Sequence, residues 1–241
     1  MSQVELDEHG FPKSAGIFET IKTFNGAPIA LGRHMRRALE SAMELGITLP
    51  SEEFIRTEII RILTENPHEI GRLRLCFGTN LFHLSHDVYI EQTEPARLNF
   101  YSQTVRGAVH KQFPYDYRFS LIEAANDEGY NDSVLFNEKN EITETAVANL
   151  VFFISGEWVT PPISSGILPG VVRAIAIEHC GVKVRGIHVS EIPDVESGFM
   201  LSSLRIAQAI SHIGDMKLKI GDASRNLEEQ IRANCKPVSV G

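Results

Sequence analysis

The feature that most constrains the fold is a change of hydrophobic period near the start of the chain. Residues 17–24 alternate loosely and are rich in Phe, Thr and Ile, and Asn25-Gly26 then offers a tight turn, which reads as a strand and hairpin. Beyond Arg33 the pattern is helical: Met35, Ala38, Leu39, Ala42 and Leu45 line one face, and Gly46 stops the run. Ser51 is placed to cap a second helix through Leu63, with Phe54, Ile55, Ile59, Ile62 and Leu63 as its apolar side. Strands are expected at 72–77, 87–91 and 98–103. Later come a helical stretch at 119–125, strands at 133–136, 148–154 and 158–160, and a helix at 171–179 opened by Pro169-Gly170 and closed by Gly181. A strand at 199–202, a hairpin at Gly214-Asp215 and a helix at 226–234 complete the pattern. The expectation is an α/β protein with an α+β N-terminal domain over 1–106, a connector at 107–114 and a larger α/β C-terminal domain over 115–241. A ligand groove is expected between the two domains.

Composition narrows the function classes. The 241 residues are 43% hydrophobic and 22% charged, ordinary for a chain that buries a core and unlike a disordered one. A net charge of −8 argues against nucleic acid or an anionic membrane as partner, since both require clustered cations, but leaves room for a small anionic ligand. No apolar run reaches membrane-spanning length, and the polar start lacks a signal-peptide core. Cys76, Cys180 and Cys235 have neither zinc-site nor disulfide spacing, so free thiols in the cytoplasm and no metal are expected.

Three features can carry chemistry. In 167–173, Ile-Leu-Pro-Gly-Val-Val-Arg, a glycine ahead of a helix leaves backbone N–H groups aimed at one point, where the helix dipole favours an anion; an ordinary helix entry reads the same way. Glu144, with Asn149 five residues on, stands beside the apolar strand 150–154, and a carboxylate there needs a cation facing it, whether a protonated heterocycle or an arginine. Lys111 lies in the connector, where desolvation and neighbouring charge can turn an ordinary lysine into a nucleophile.

In order and spacing these pieces resemble the class IV aminotransferases, the fold-type-IV pyridoxal-phosphate enzymes related to D-amino-acid aminotransferase. The resemblance runs through FETIKTFNG at 18–26, HMRRALESAMELGI from His34, His110-Lys111, NDSVLFNEKNEITETAVANLVFF at 131–153, TPPISSGILPGVVR at 160–173 and FMLSSLR at 199–205. It implies pyridoxal 5′-phosphate as cofactor, held by Lys111 as a Schiff base. It implies Glu144 at the pyridine nitrogen, Asn149 orienting the strand beside it, and Arg37, Val171, Val172 and Ser203 at the phosphate. Arg205 is a candidate for the substrate carboxylate. The family's first strand is expected to be shortened or missing ahead of Phe18, and Gln112-Phe113-Pro114-Tyr115 follows none of the better-known subfamilies, which leaves the role of Tyr115 open.

The resemblance also implies a reaction. Lys111, released from the cofactor by the incoming amine, acts as base on the Cα proton, and the ring nitrogen held by Glu144 accepts the charge. FETI, the His-Lys pair, FNEKNEITE and SSLR look most like the aminodeoxychorismate lyases of folate biosynthesis, which form 4-aminobenzoate and pyruvate. An aminotransferase of a small amino acid or amine is the alternative. A binding protein that kept the fold and lost catalysis is disfavoured by the joint presence of Lys111, Glu144 and Arg37. A homodimer acting on a small amino substrate is implied as well.

Overall fold

The structure, a computed structural model, describes residues 4–105, 107 and 109–240; the ends of the expected domains at 1, 106 and 241, and Ala108 of the expected connector, lie outside the described residues. Along the chain, strands β1 (Gly16–Phe24) and β2 (Ala27–Pro28) precede helices α1 (Leu31–Leu45) and α2 (Glu52–Glu65). Strands β3 (Ile70–Gly78), β4 (Leu81–Val88), β5 (Ala96–Phe100) and β6 (Gln112–Phe113) lead to α3 (Asp116–Asp127). Then come β7 (Asp132–Val134), β8 (Asn149–Ile154), β9 (Glu157–Thr160), α4 (Val171–His179), β10 (Lys183–Val184), β11 (Val195–Ser202), β12 (Ile206–Ile213), β13 (Met216–Lys217) and α5 (Asp222–Asn234). They form two compact units, one of Met1–Glu91, His110–Asp116 and Lys236–Gly241, the other of Gln92–Val109 and Tyr117–Cys235.

The first unit is an antiparallel sheet in the order β2-β1-β3-β4, with β6 added to the start of β1. Asn25 (φ 47°) and Gly26 (φ 75°) both adopt left-handed geometry, as a two-residue hairpin loop demands, and so Asn-Gly is the pair that fits. β1 then pairs with β3 along its whole length, from Gly16 opposite Gly78 to Phe24 opposite Ile70. Because side chains alternate across a strand, Ile17 and Ile21 face one way and join Leu73, Leu75 and Phe77 in a core closed by Met35, Ala38 and Ala42 of α1 and Ile55, Ile59 and Ile62 of α2. Ser51 accepts a hydrogen bond from the Phe54 N–H and caps α2 as expected. On the other face Phe11, 1% exposed, packs its ring against Phe18, Phe113 and Tyr115. The strand expected at 87–91 is found earlier, as β4. Asn80 (φ 53°) turns the chain at once after β3, so pairing starts with Leu81 opposite Gly78, and His83 and Ser85 conceal the alternation.

The second unit is a mixed sheet in the order β10-β9-β8-β11-β12-β5-β7, with β13 paired to β12. Its core joins Leu150, Phe152 and Ile154 of β8 to Met200, Ile210, Ile213, Leu98 and Val134. The strand expected at 98–103 is β5, which lies between β12 and β7 and runs parallel to both. β12 was not expected from the pattern. Gln208 and Ser211 interrupt its apolar run, and their side chains donate to the carbonyls of Glu94 and Ala96 instead of facing water. Among the described residues no helix is long and apolar enough to cross a membrane, and no group of His, Cys, Asp and Glu is arranged to hold a metal.

Candidate functional site

In the first unit the chemistry gathers around β1. Glu19 falls on the same face as Ile17 and Ile21 and is carried into the core, only 2% exposed. His34 and Arg37 are one turn apart on α1, so both reach it. Arg37 donates from Nε to Glu19 Oε1 at 2.8 Å and from Nη2 to Oε2 at 2.5 Å, a two-pronged fork, and His34 Nδ1 lies 2.6 Å from the same Oε2. Burial pushes the Glu19 carboxyl up, but the charge of Arg37 and the contacts with His34 outweigh it and hold it at about 2. Burial drives His34 the other way, below its usual value and against the pull of Glu19, with the charges of Arg37 and Lys111 adding to the fall.

Lys111 is anchored beside this group, because its carbonyl accepts the Phe18 N–H at 2.8 Å. Its Nζ stands 4.5 Å from the centroid of the Phe18 ring and 5.1 Å from that of Tyr115, and the two rings meet edge to face. The preceding His110 places Nδ1 3.1 Å from Ser41 Oγ on α1.

The second unit brings four of the expected residues together. Glu144 and Asn149 form an antiparallel bridge at the mouth of β8. Asn149 Nδ2 donates to Glu144 Oε2 at 3.2 Å and to the Leu168 carbonyl at 3.0 Å, while the Leu168 N–H donates to Glu144 Oε2 at 3.0 Å. The other carboxylate oxygen accepts from Arg118 Nη2 of α3 at 3.0 Å, and both residues are buried. Just beyond Leu168, α4 begins at Val171 behind Gly170, with no side chain capping it, which leaves the first-turn N–H groups of Val171 and Val172 to another acceptor. Gly170 is required by space and not by backbone geometry, since a Cβ there would sit 1.8 Å from Asn149 Oδ1.

Ser203 and Arg205 occupy the turn between β11 and β12. The Arg205 N–H donates to Ser202 Oγ at 3.2 Å, and its buried Nε has no hydrogen-bond partner among the described residues. Ile206 closes the turn at φ 61°, a strained conformation for a β-branched residue. Burial pushes the carboxyl of Asp132 on β7 up, against hydrogen bonds from Thr145, Ser133 and Ala146 and the charge of Arg205.

Two groups escaped sequence reasoning: Arg118, and the pair Glu19 and His34. The signal for Glu19 was present, because a glutamate in an apolar alternating strand raises the same demand for a cation that Glu144 raised.

A sequence profile of the amino-transferase class IV family matches residues 16–213. The chain belongs to the class IV aminotransferases. A Rickettsia bellii protein assigned as a branched-chain-amino-acid aminotransferase is 24% identical over 92% of this chain and 86% of its own length. A Schizosaccharomyces pombe protein assigned as an aminodeoxychorismate lyase is 25% identical over 69% of this chain and 75% of its own. In three dimensions the fold matches the crystal structure of a Legionella pneumophila protein assigned as 4-amino-4-deoxychorismate lyase, with a TM-score of 0.84, 23% identity and 91% of each chain covered.

Class IV aminotransferases work with pyridoxal 5′-phosphate, and the parts of this member fit that cofactor. Its phosphate needs an anion site, which the uncapped start of α4 offers. Its ring nitrogen needs a carboxylate, and Glu144 is a carboxylate held by three donors. Its aldehyde needs an amine, and Lys111 presents one beside the rings of Phe18 and Tyr115.

Proposed function

We propose that this class IV aminotransferase is a lyase of the 4-amino-4-deoxychorismate type, releasing 4-aminobenzoate and pyruvate, with Lys111 as the cofactor-bearing lysine. In this reading Glu144 faces the pyridine nitrogen, and Asn149 holds Glu144 in place. Arg37, the amides of Val171 and Val172, and the Ser203 hydroxyl take the phosphate, and Arg205 takes the substrate carboxylate. The observation that carries the assignment is the set of donors around Glu144. Arg118, Asn149 and the Leu168 N–H fix its carboxylate in one orientation, as a group that must hold a proton on a partner nitrogen requires.

When bound, the cofactor supplies an electron sink for a substrate carbanion. The protein supplies the proton transfer and the orientation. Lys111 Nζ is the base that takes the proton from the carbon bearing the amine; the C–O bond to the ether on the neighbouring carbon then breaks, and the enolpyruvate released takes up a proton to become pyruvate. Phe18 and Tyr115 give that nitrogen apolar walls and limit its hydration. By the family resemblance the enzyme acts as a homodimer on a small amino substrate, and its few, widely spaced cysteines point to the cytoplasm.

The lyase branch is supported by FETI, the His-Lys pair, FNEKNEITE and SSLR, and by the Schizosaccharomyces pombe relative. Transamination of a small amino acid is the second reading, favoured by the Rickettsia bellii relative, which spans more of the chain. The test begins with visible absorbance of the protein with added pyridoxal phosphate, before and after borohydride, for wild type and Lys111→Ala. A reduced adduct on Lys111 in the wild type alone supports the assignment; its absence there rejects it.

A further inference from the structure

We propose that Glu19 and His34 are positioning residues for Arg37, fixing its guanidinium plane so that it meets the cofactor's phosphate. The inference rests on the reading that Arg37 binds that phosphate.

Three observations carry it. The first is the place of Glu19. Its neighbours on the same face of β1, Ile17 and Ile21, belong to the core beneath α1 and α2, where an aliphatic side chain would serve packing better. Replacing a whole buried ion pair by apolar side chains of the same volume costs little stability, because desolvation offsets most of the attraction; what such a replacement loses here is a fixed geometry. The second is the shape of the contact. Two parallel bonds from Nε and Nη2 lie in the guanidinium plane, so Arg37 can neither swing nor twist without breaking both. The third is His34, whose Nδ1 contact with Oε2 at 2.6 Å stops the Glu19 carboxylate from turning about its own axis.

His34 is itself buried, 1% exposed, and sits within electrostatic range of Lys111. Burial lowers its tendency to take a proton, and the charge of Arg37 is met by the Glu19 carboxylate. Arg37 is therefore presented as a directed donor whose charge is balanced from behind. A phosphate gains from such a donor because a planar guanidinium binds two oxygens only in one orientation.

The test compares two probes, pyridoxal phosphate and pyridoxal, which share the aldehyde and ring and differ in the phosphate. Both are titrated into cofactor-free wild type, Glu19→Gln, His34→Gln and Arg37→Ala, with the adduct read by visible absorbance. Glu19→Gln is expected to weaken pyridoxal phosphate by about tenfold or more, the scale found when a group that orients a ligand's own contact is removed, and to leave pyridoxal unchanged. His34→Gln keeps the Arg37–Glu19 fork and serves if Glu19→Gln does not fold. It is expected to show a smaller loss, again for the phosphorylated probe alone. If both probes weaken together in these variants, or neither does, the positioning role is overturned. If Arg37→Ala leaves the ratio of the two affinities as in wild type, the phosphate reading itself falls and takes this inference with it. A collapse of that ratio in Arg37→Ala alone removes only the inference about Glu19 and His34.

Discussion

Glu19 and Glu144 face the same problem, a carboxylate withdrawn from water, and solve it with an arginine plus further donors. For Glu19 the consequence is a pH dependence of stability. Its carboxyl is held at about 2 in the folded chain against 4.5 in the open one, so the unfolded state binds the proton first. Its contribution is present above pH 4.5 and is lost as pH falls toward 2, about 3 kcal/mol in all. His34, lowered from 6.5, acts with the same sign, because the unfolded histidine charges first on acidification, and its share begins to fade below that value. Urea unfolding followed from pH 7 down to 2 should show Glu19→Gln less stable at neutrality and converging with wild type in acid; parallel curves would contradict this. For Glu144 the variant Glu144→Ala should cost about 3 kcal/mol of unfolding free energy, since it strands the buried Arg118, and Arg118→Met should cost less in the double variant than alone. Sequence reasoning saw that Glu144 needed a cation. It did not see Arg118, because a partner brought in by the opening turn of a separate helix leaves no mark in local spacing.

At the scale of elements, hydrophobic period found most helices and strands and misjudged what their faces carry. α1 was read from Met35, Ala38, Leu39, Ala42 and Leu45, yet Leu39 is half exposed while His34, Arg37 and Ser41 are buried. Polar residues on the inner face of a helix look like a lapse in the pattern until their partners are known, and here the partners lie on β1 and beside Lys111. β12 was missed for a related reason, its polar residues being bonded inside the sheet. The start of α4 was legible because Pro-Gly ahead of a helix is a local signal. It yields a prediction at this scale: Gly170 has an ordinary extended backbone (φ −69°, ψ 136°), so Gly170→Ala creates no dihedral strain and acts only through space. The new methyl collides with Asn149 Oδ1, which must move and loosen its bond to Glu144. The variant should lose about 1–3 kcal/mol of stability, typical of overpacking, together with affinity for pyridoxal phosphate. Chemical denaturation and a cofactor titration check both, and a variant indistinguishable from wild type would show that the contact carries no weight.

At the scale of the molecule, the chain's path explains what no local pattern reveals. β5, early in the sequence, runs parallel to β12 near its end, and the C-terminal segment returns to the first unit, where Val240 joins the core under α1. Such pairings depend on long-range contacts and are invisible to spacing, whereas the fold class and the cofactor emerged from ordered motifs spread over most of the chain. One scaffold and one cofactor serve both elimination and amine exchange. On the proposed reading, the difference lies in the fate of the charge left once Lys111 takes the proton. A substrate with a good leaving group on the next carbon, and an aromatic ring to gain, expels that group faster than a proton returns. The enzyme loaded with pyridoxal phosphate should therefore convert aminodeoxychorismate to 4-aminobenzoate and pyruvate in equal amounts with no 2-oxo acid added as amino acceptor, and Lys111→Ala should lose this by about a thousandfold, as loss of a catalytic base demands. Chromatography of the products against time decides it. Amine exchange with 2-oxo acids and no 4-aminobenzoate would assign the chain to the transaminating branch while leaving its cofactor residues as proposed.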